Sequence, residues 1–232
     1  MAAARAVVVT GATGGLGAGV VEVLLDAGYR VIGTWIVPEE RDRAVERFGD
    51  RAEWIELDVG APESVDALAA ELGRDGAPWG VAHLVGGFHA GDPVPGMDLA
   101  ALDTQVALNL RTAAVVMRGF LPGLVERGGG RLVAISSRAA VRPFGGGGAY
   151  AASKAALIGL TGAASEDVKA SGVTVNCLLP SVIDTLGNRA AMPDADPSDW
   201  VAPTQIGELI AYLMSDGGAA VTGAALPVDG RV

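Results

Sequence analysis

The stretch from Arg5 to Gly28 limits the possible folds of this chain more than any other. Arg5-Ala6-Val7-Val8-Val9-Thr10 is a nearly all-apolar β run, the pattern of a strand covered on both faces in a parallel sheet. It breaks into Gly11-Ala12-Thr13-Gly14-Gly15-Leu16-Gly17. An apolar-periodic helix follows through Val20, Val21, Val23, Leu24 and Leu25, closed by Gly28. Strand, glycine turn and helix in that order give a glycine motif its meaning. Glycines let the backbone approach a pyrophosphate, and free amides at the helix start attract its charge. The spacing of Gly11, Gly15 and Gly17 therefore predicts a phosphate site.

The same alternation continues to the end of the chain. Further strands are expected at 29–35, 53–57, 81–85, 131–137, 173–179 and 225–228. Helices are expected after Pro38, over 62–72, over a long run at about 99–125, from Ala149, and over 204–214, with 186–203 irregular. This predicts an α/β fold: a doubly wound, seven-stranded parallel sheet flanked by helices, in a single domain over 1–232. Trp35 closes the second strand. There a dinucleotide fold commonly places an acid for the ribose hydroxyls, or an Arg nearby for a 2′-phosphate. Trp35-Ile36-Val37-Pro38 supplies neither, and Arg41 and Arg43 read as solvated helix charges.

Composition narrows the partners. A formal charge of −10 disfavours nucleic acid and anionic membrane surfaces. No apolar run reaches the ~18–20 residues of a membrane span. Met1 to Thr10 leaves no room for a signal peptide, and the single cysteine, Cys177, fits a reducing, cytoplasmic setting. His83 reads as a core residue, and His89 lies in a loop after a strand. Neither stands beside a Cys or carboxylate cluster, so no metal site is expected.

Tyr150-Ala151-Ala152-Ser153-Lys154 carries the chemistry. Positions i and i+4 share one helix face, which brings an ammonium over a phenol. A nearby cation favours the phenolate and lowers the phenol pKa from ~10 toward the range useful for proton transfer.

With these residues the chain resembles the short-chain dehydrogenase/reductase family over essentially its whole length. The matches are Thr10-Gly11-x-x-x-Gly15-x-Gly17, Asp58, Asn109, Ser137, Tyr150-x-x-x-Lys154, Asn176 and Pro180-x-x-x-x-Thr185. The resemblance implies a Rossmann fold, a nicotinamide cofactor (NADP or NAD, with the preference open) and a small-molecule carbonyl or alcohol substrate. It makes Tyr150 the proton donor, Ser137 the holder of the substrate oxygen, Lys154 the ribose binder and Asn109 the anchor of a water relay. It places Gly11, Thr13, Gly14, Gly15, Leu16, Gly17, Trp35, Asp58, Val59, Gly86, Tyr150, Lys154, Pro180, Ile183 and Thr185 at the cofactor. It also implies a homo-oligomer, tetramer or dimer, built on the helices bearing Asn109 and Tyr150.

The chain departs from the family pattern at Leu84-Val85-Gly86-Gly87 and at Pro180-Ser181. Together with Asp184-Thr185-x-x-Asn188-Arg189-x-x-Met192-Pro193-x-Ala195-Asp196-x-Ser198-x-Trp200, the first of these looks like the dihydropteridine reductase branch. A quinonoid dihydropteridine reductase is therefore one alternative, and a non-catalytic dinucleotide sensor is another. Phe88, Arg138, Phe144, Met192 and Trp200 are the candidate substrate walls, around a short loop at about 186–203.

Overall fold

Each apolar run becomes a strand: β1 Ala6–Thr10, β2 Arg30–Trp35, β3 Ala52–Glu56, β4 Gly80–His83, β5 Gly130–Ile135, β6 Val173–Pro180 and β7 Ala225–Val228. They form one sheet in the order β3-β2-β1-β4-β5-β6-β7, with every neighbouring pair parallel. This computed structural model describes residues 4–74 and 76–231. The leader-free reading of the first three residues lies outside the described residues. Successive strand side chains point to opposite faces, and each central strand is apolar on both. Val7 and Val9 join one buried cluster with Val20, Leu24, Ile206 and Ile210, whereas Val8 joins another with Val116, Phe120, Leu124 and Leu157.

The helices that supply those residues lie on both faces of the sheet. On one face are α1 (Gly17–Asp26), α2 (Pro38–Phe48) and α8 (Pro203–Met214). On the other are α3 (Pro62–Gly73), α5 (Thr112–Arg127) and α6 (Gly148–Val168). The helix expected at 99–125 is not uniform. It runs as α4 (Leu99–Val106), a π-helical turn over Ala107–Arg111, and then α5. The segment expected to be irregular contains α7 (Leu186–Ala191) and an isolated bridge between Ile183 and Val201. The Thr185 hydroxyl caps α7 by accepting the Asn188 amide at 3.2 Å. Such a cap depends on one side chain, and hydrophobic periodicity carries no trace of it.

Candidate active site

In an open parallel sheet, the carboxyl ends of the strands leave a crevice where the strand order reverses. Here the reversal lies between β1 and β4, and a cleft of about 1200 Å³ opens there. The turn after β1 forms its floor, and Gly11, Thr13, Gly14, Gly15, Leu16 and Gly17 all line it. Only glycine fits at Gly17, since a Cβ there would stand 2.3 Å from the Gly11 carbonyl oxygen. The turn can therefore lie flat against the start of α1 and leave room for a ligand above it.

At one end the cleft is lined by Trp35, Glu40, Asp58 and Val59. The Thr13 hydroxyl donates to Glu40 Oε2 at 3.2 Å, and Asp58 Oδ1 accepts the Gly60 amide at 2.8 Å. The Arg41 guanidinium carbon sits 4.9 Å from the centre of the Trp35 ring. Sequence reasoning passed over Glu40, because it lies beyond the second strand, in the first turn of a polar helix, where no spacing rule marks it.

At the other end Ser137, Tyr150 and Lys154 line the cleft together. Beyond β5, the Ser137 hydroxyl accepts the Ala139 amide at 3.1 Å and hydrogen-bonds the Tyr150 phenol. Burial raises the Tyr150 pKa, against a smaller lowering from that bond. Lys154 does not act on the phenol as the helical spacing predicts. Its ammonium instead donates to the Ile135 carbonyl at 2.8 Å, and burial lowers its pKa to about 8. Ser136, which the sequence did not single out, fixes that turn of α6 by donating to the Lys154 carbonyl at 2.8 Å.

Asn109 is buried behind this group rather than along the cleft wall. Its Oδ1 accepts the Gly87 amide at 2.9 Å, and its Nδ2 donates to the Gly87 carbonyl at 3.0 Å. Ser153 Oγ and Gln105 Oε1 lie 3.1 and 3.2 Å from the same nitrogen. The π turn thus carries a side chain that clamps the loop after β4. Gly86, in that loop, borders both Asn109 and Lys154. His83 is buried between the hydroxyls of Thr10, at 2.8 Å, and Thr112, at 3.4 Å. Burial, reinforced by the Lys154 charge, lowers its pKa to about 3.

The mouth is aromatic. Phe88 packs edge-on against Tyr150 at 5.0 Å between ring centres, and Phe144 lies 6.2 Å from Phe88. A backbone bond from Gly91 to Gly146, 2.9 Å, joins the two loops that carry them. Arg138 and Met192 also line the cleft, as do Gly86, Pro180 and Ile183. Besides Asn109, two expected residues do not. Trp200 is only 9 % exposed and is packed away from the cleft, beside the bridge at Val201. Thr185 is drawn off the wall by its capping bond to α7, although it lies close to Gly15. His89 is exposed and also off the wall. No group of three or more His, Cys, Asp or Glu able to hold a metal occurs among the described residues, and no described helix is long and apolar enough to cross a membrane.

Comparison with known proteins agrees with this geometry. Residues 5–196 match the family model described as short chain dehydrogenase. A nodulation protein G from Azospirillum brasilense is 32 % identical over 96 % of this chain and 95 % of its own length. A cis-4-hydroxycyclohexanecarboxylate dehydrogenase from Sinomonas cyclohexanicum is 31 % identical, covering 98 % of this chain and 96 % of its own. A solved short-chain type dehydrogenase/reductase from Mycobacterium ulcerans superposes with a TM-score of 0.90 at 27 % identity, over 98 % of this chain and 89 % of that one.

Proposed function

The chain belongs to the short-chain dehydrogenase family, and from that premise we propose that Tyr150 moves the proton that accompanies hydride transfer between a nicotinamide dinucleotide and a small carbonyl or alcohol. As a family member it is an oxidoreductase of the NAD(P)-dependent short-chain type. The cleft fits such a cofactor. It runs from Glu40 and Asp58, over a glycine turn with no room for a Cβ at Gly17, to Tyr150 and Lys154. Its volume of about 1200 Å³ exceeds the ~300–1,000 Å³ of ordinary small-molecule pockets, leaving space for substrate beside a dinucleotide. When bound, the dinucleotide supplies or accepts the hydride.

The residues of the chain supply the rest. Tyr150, its pKa raised by burial, stays protonated at neutral pH and can donate to a carbonyl oxygen. The Ser137 hydroxyl, bonded to the same phenol, holds that oxygen as negative charge develops on it. The Lys154 ammonium, with a pKa of about 8, keeps its charge at neutral pH and donates to ribose hydroxyls beside the phenol. Asn109 positions the Gly86-Gly87 wall. The observation that carries this reading is the meeting of Ser137, Tyr150 and Lys154 at the head of the cleft.

Purified protein assayed with NADH and NADPH against a panel of carbonyls tests it. Tyr150→Phe is expected to keep dinucleotide binding while turnover falls by about 10²–10⁴-fold. An unchanged rate would remove the phenol from the mechanism. A quinonoid dihydropterin is the second reading, favoured by the Phe88–Phe144 shelf beside Tyr150, which suits a flat ring. It belongs in the same panel. Dinucleotide binding without turnover of any substrate would leave the sensor reading.

The setting is read as cytoplasmic, in line with a single, buried cysteine. The assembly is read as a homodimer or homotetramer, supported by the exposed small residues Ala152, Ala155, Ala156 and Gly159 on α6. Sedimentation velocity distinguishes the two.

A further inference from the structure

We infer that Glu40 makes the cleft selective for the dinucleotide whose adenosine ribose carries free hydroxyls, against the form bearing a 2′-phosphate. The inference rests on the dinucleotide reading above. In this fold the adenosine ribose lies beside the end of the second strand. That strand ends at Trp35, which has no carboxylate, and the acid is supplied instead from the neighbouring helix. Glu40, half-buried in the first turn of α2, lines the cleft, and its Oε2 accepts the Thr13 hydroxyl of the glycine turn at 3.2 Å.

Thr13 fixes the carboxylate and uses only one of its acceptor positions, so others remain for a ribose diol. A 2′-phosphate in the same place would meet a like charge at short range. The nearby cations do not reverse the sign. Arg41 is stacked on Trp35, donates to Asp42 Oδ1 at 2.7 Å, and is not part of the cleft wall. Arg111 lines the cleft, but its guanidinium donates to the Gly60 carbonyl at 2.8 Å. The turn residues Ala12, Thr13 and Gly14 are uncharged.

Titration of the purified protein with NADH and with NADPH, following nucleotide fluorescence, reads the selectivity directly without turnover. NADH is expected to bind at least about tenfold more tightly than NADPH. Glu40→Gln keeps the shape and removes the charge, so it should tighten NADPH and bring the two dissociation constants within about threefold. Glu40→Ala, checked for folding by circular dichroism, should narrow the ratio in the same direction and also weaken NADH. Equal or tighter NADPH binding by the wild type, or a ratio unmoved by Glu40→Gln, would overturn the inference and leave the oxidoreductase reading standing. Binding of neither nucleotide would overturn both.

Discussion

At Gly17 the obstacle to a side chain is backbone. A Cβ would lie 2.3 Å from the Gly11 oxygen and 2.4 Å from the Ala12 carbonyl carbon, and neither can swing aside. At Gly86 the nearest atoms are instead side-chain ends, Asn109 Oδ1 at 2.8 Å and Lys154 Nζ at 2.9 Å. The two glycines should therefore respond differently to one added methyl. Gly17→Ala is expected to cost about 1–3 kcal/mol of stability, as overpacking commonly does, and to weaken dinucleotide binding. Gly86→Ala should be milder in stability, because Lys154 can leave the Ile135 carbonyl. Parallel thermal melts check the ranking, and equal losses would contradict it. That Ser137, Tyr150 and Lys154 would meet was readable because they stand at fixed intervals on one strand end and one helix face, and the structure brings all three to one cleft. The direction of the Tyr150 pKa shift was not readable. It is set by burial, against a smaller opposing effect of Ser137, and burial depends on how distant parts of the chain pack around the ring.

The elements with the largest role at the site are those that break their own regularity. The run from Leu99 to Val125 has a continuous apolar pattern, so its sequence predicts a single helix. The π turn over Ala107–Arg111 widens one loop of the hydrogen-bond ladder without disturbing that pattern, and π turns concentrate at functional sites. Asn109, carried by the turn, holds both polar groups of the Gly87 backbone. Asn109→Ala should free that segment. In hydrogen exchange, the Gly87 amide is expected to exchange about tenfold faster or more, since its acceptor is lost, while amides in β5 remain protected. Unchanged Gly87 exchange would show that the clamp is not what orders the loop. The C-terminal segment taught the opposite lesson. Its Met192 reaches the cleft, but Trp200, a candidate substrate wall, is buried off the cleft next to the Ile183–Val201 bridge.

Across the whole molecule, the seven parallel strands and the helices flanking them follow from short apolar runs separated by helical stretches, and this class of fold was legible in the sequence. The strand order and the membership of the two buried clusters came only with the structure. The polar groups sealed inside were also less legible. His83 was read as a core residue, and its place between Thr10 and Thr112 gives that reading a consequence. Its pKa is about 3 in the folded chain against an ordinary 6.5. Between these values the unfolded chain binds the extra proton, so stability is lost as pH falls from 6.5 toward 3, at about 1.4 kcal/mol per pH unit. Above pH 6.5 the group is neutral in both states and adds no slope. His83→Gln, polar but unable to charge, is expected to move the acid-unfolding midpoint to lower pH. A midpoint that stays in place would assign acid lability to other groups.

Cys177 lies in β6, fully buried, between Ala134 of β5 and Ala225 of β7, and burial pushes its thiol pKa up to about 11. With no second thiol in the chain to compete, a sulfhydryl-directed dye can react only when the packing over β6 opens. The protein thus carries a built-in clock for that opening, one that needs no engineered label.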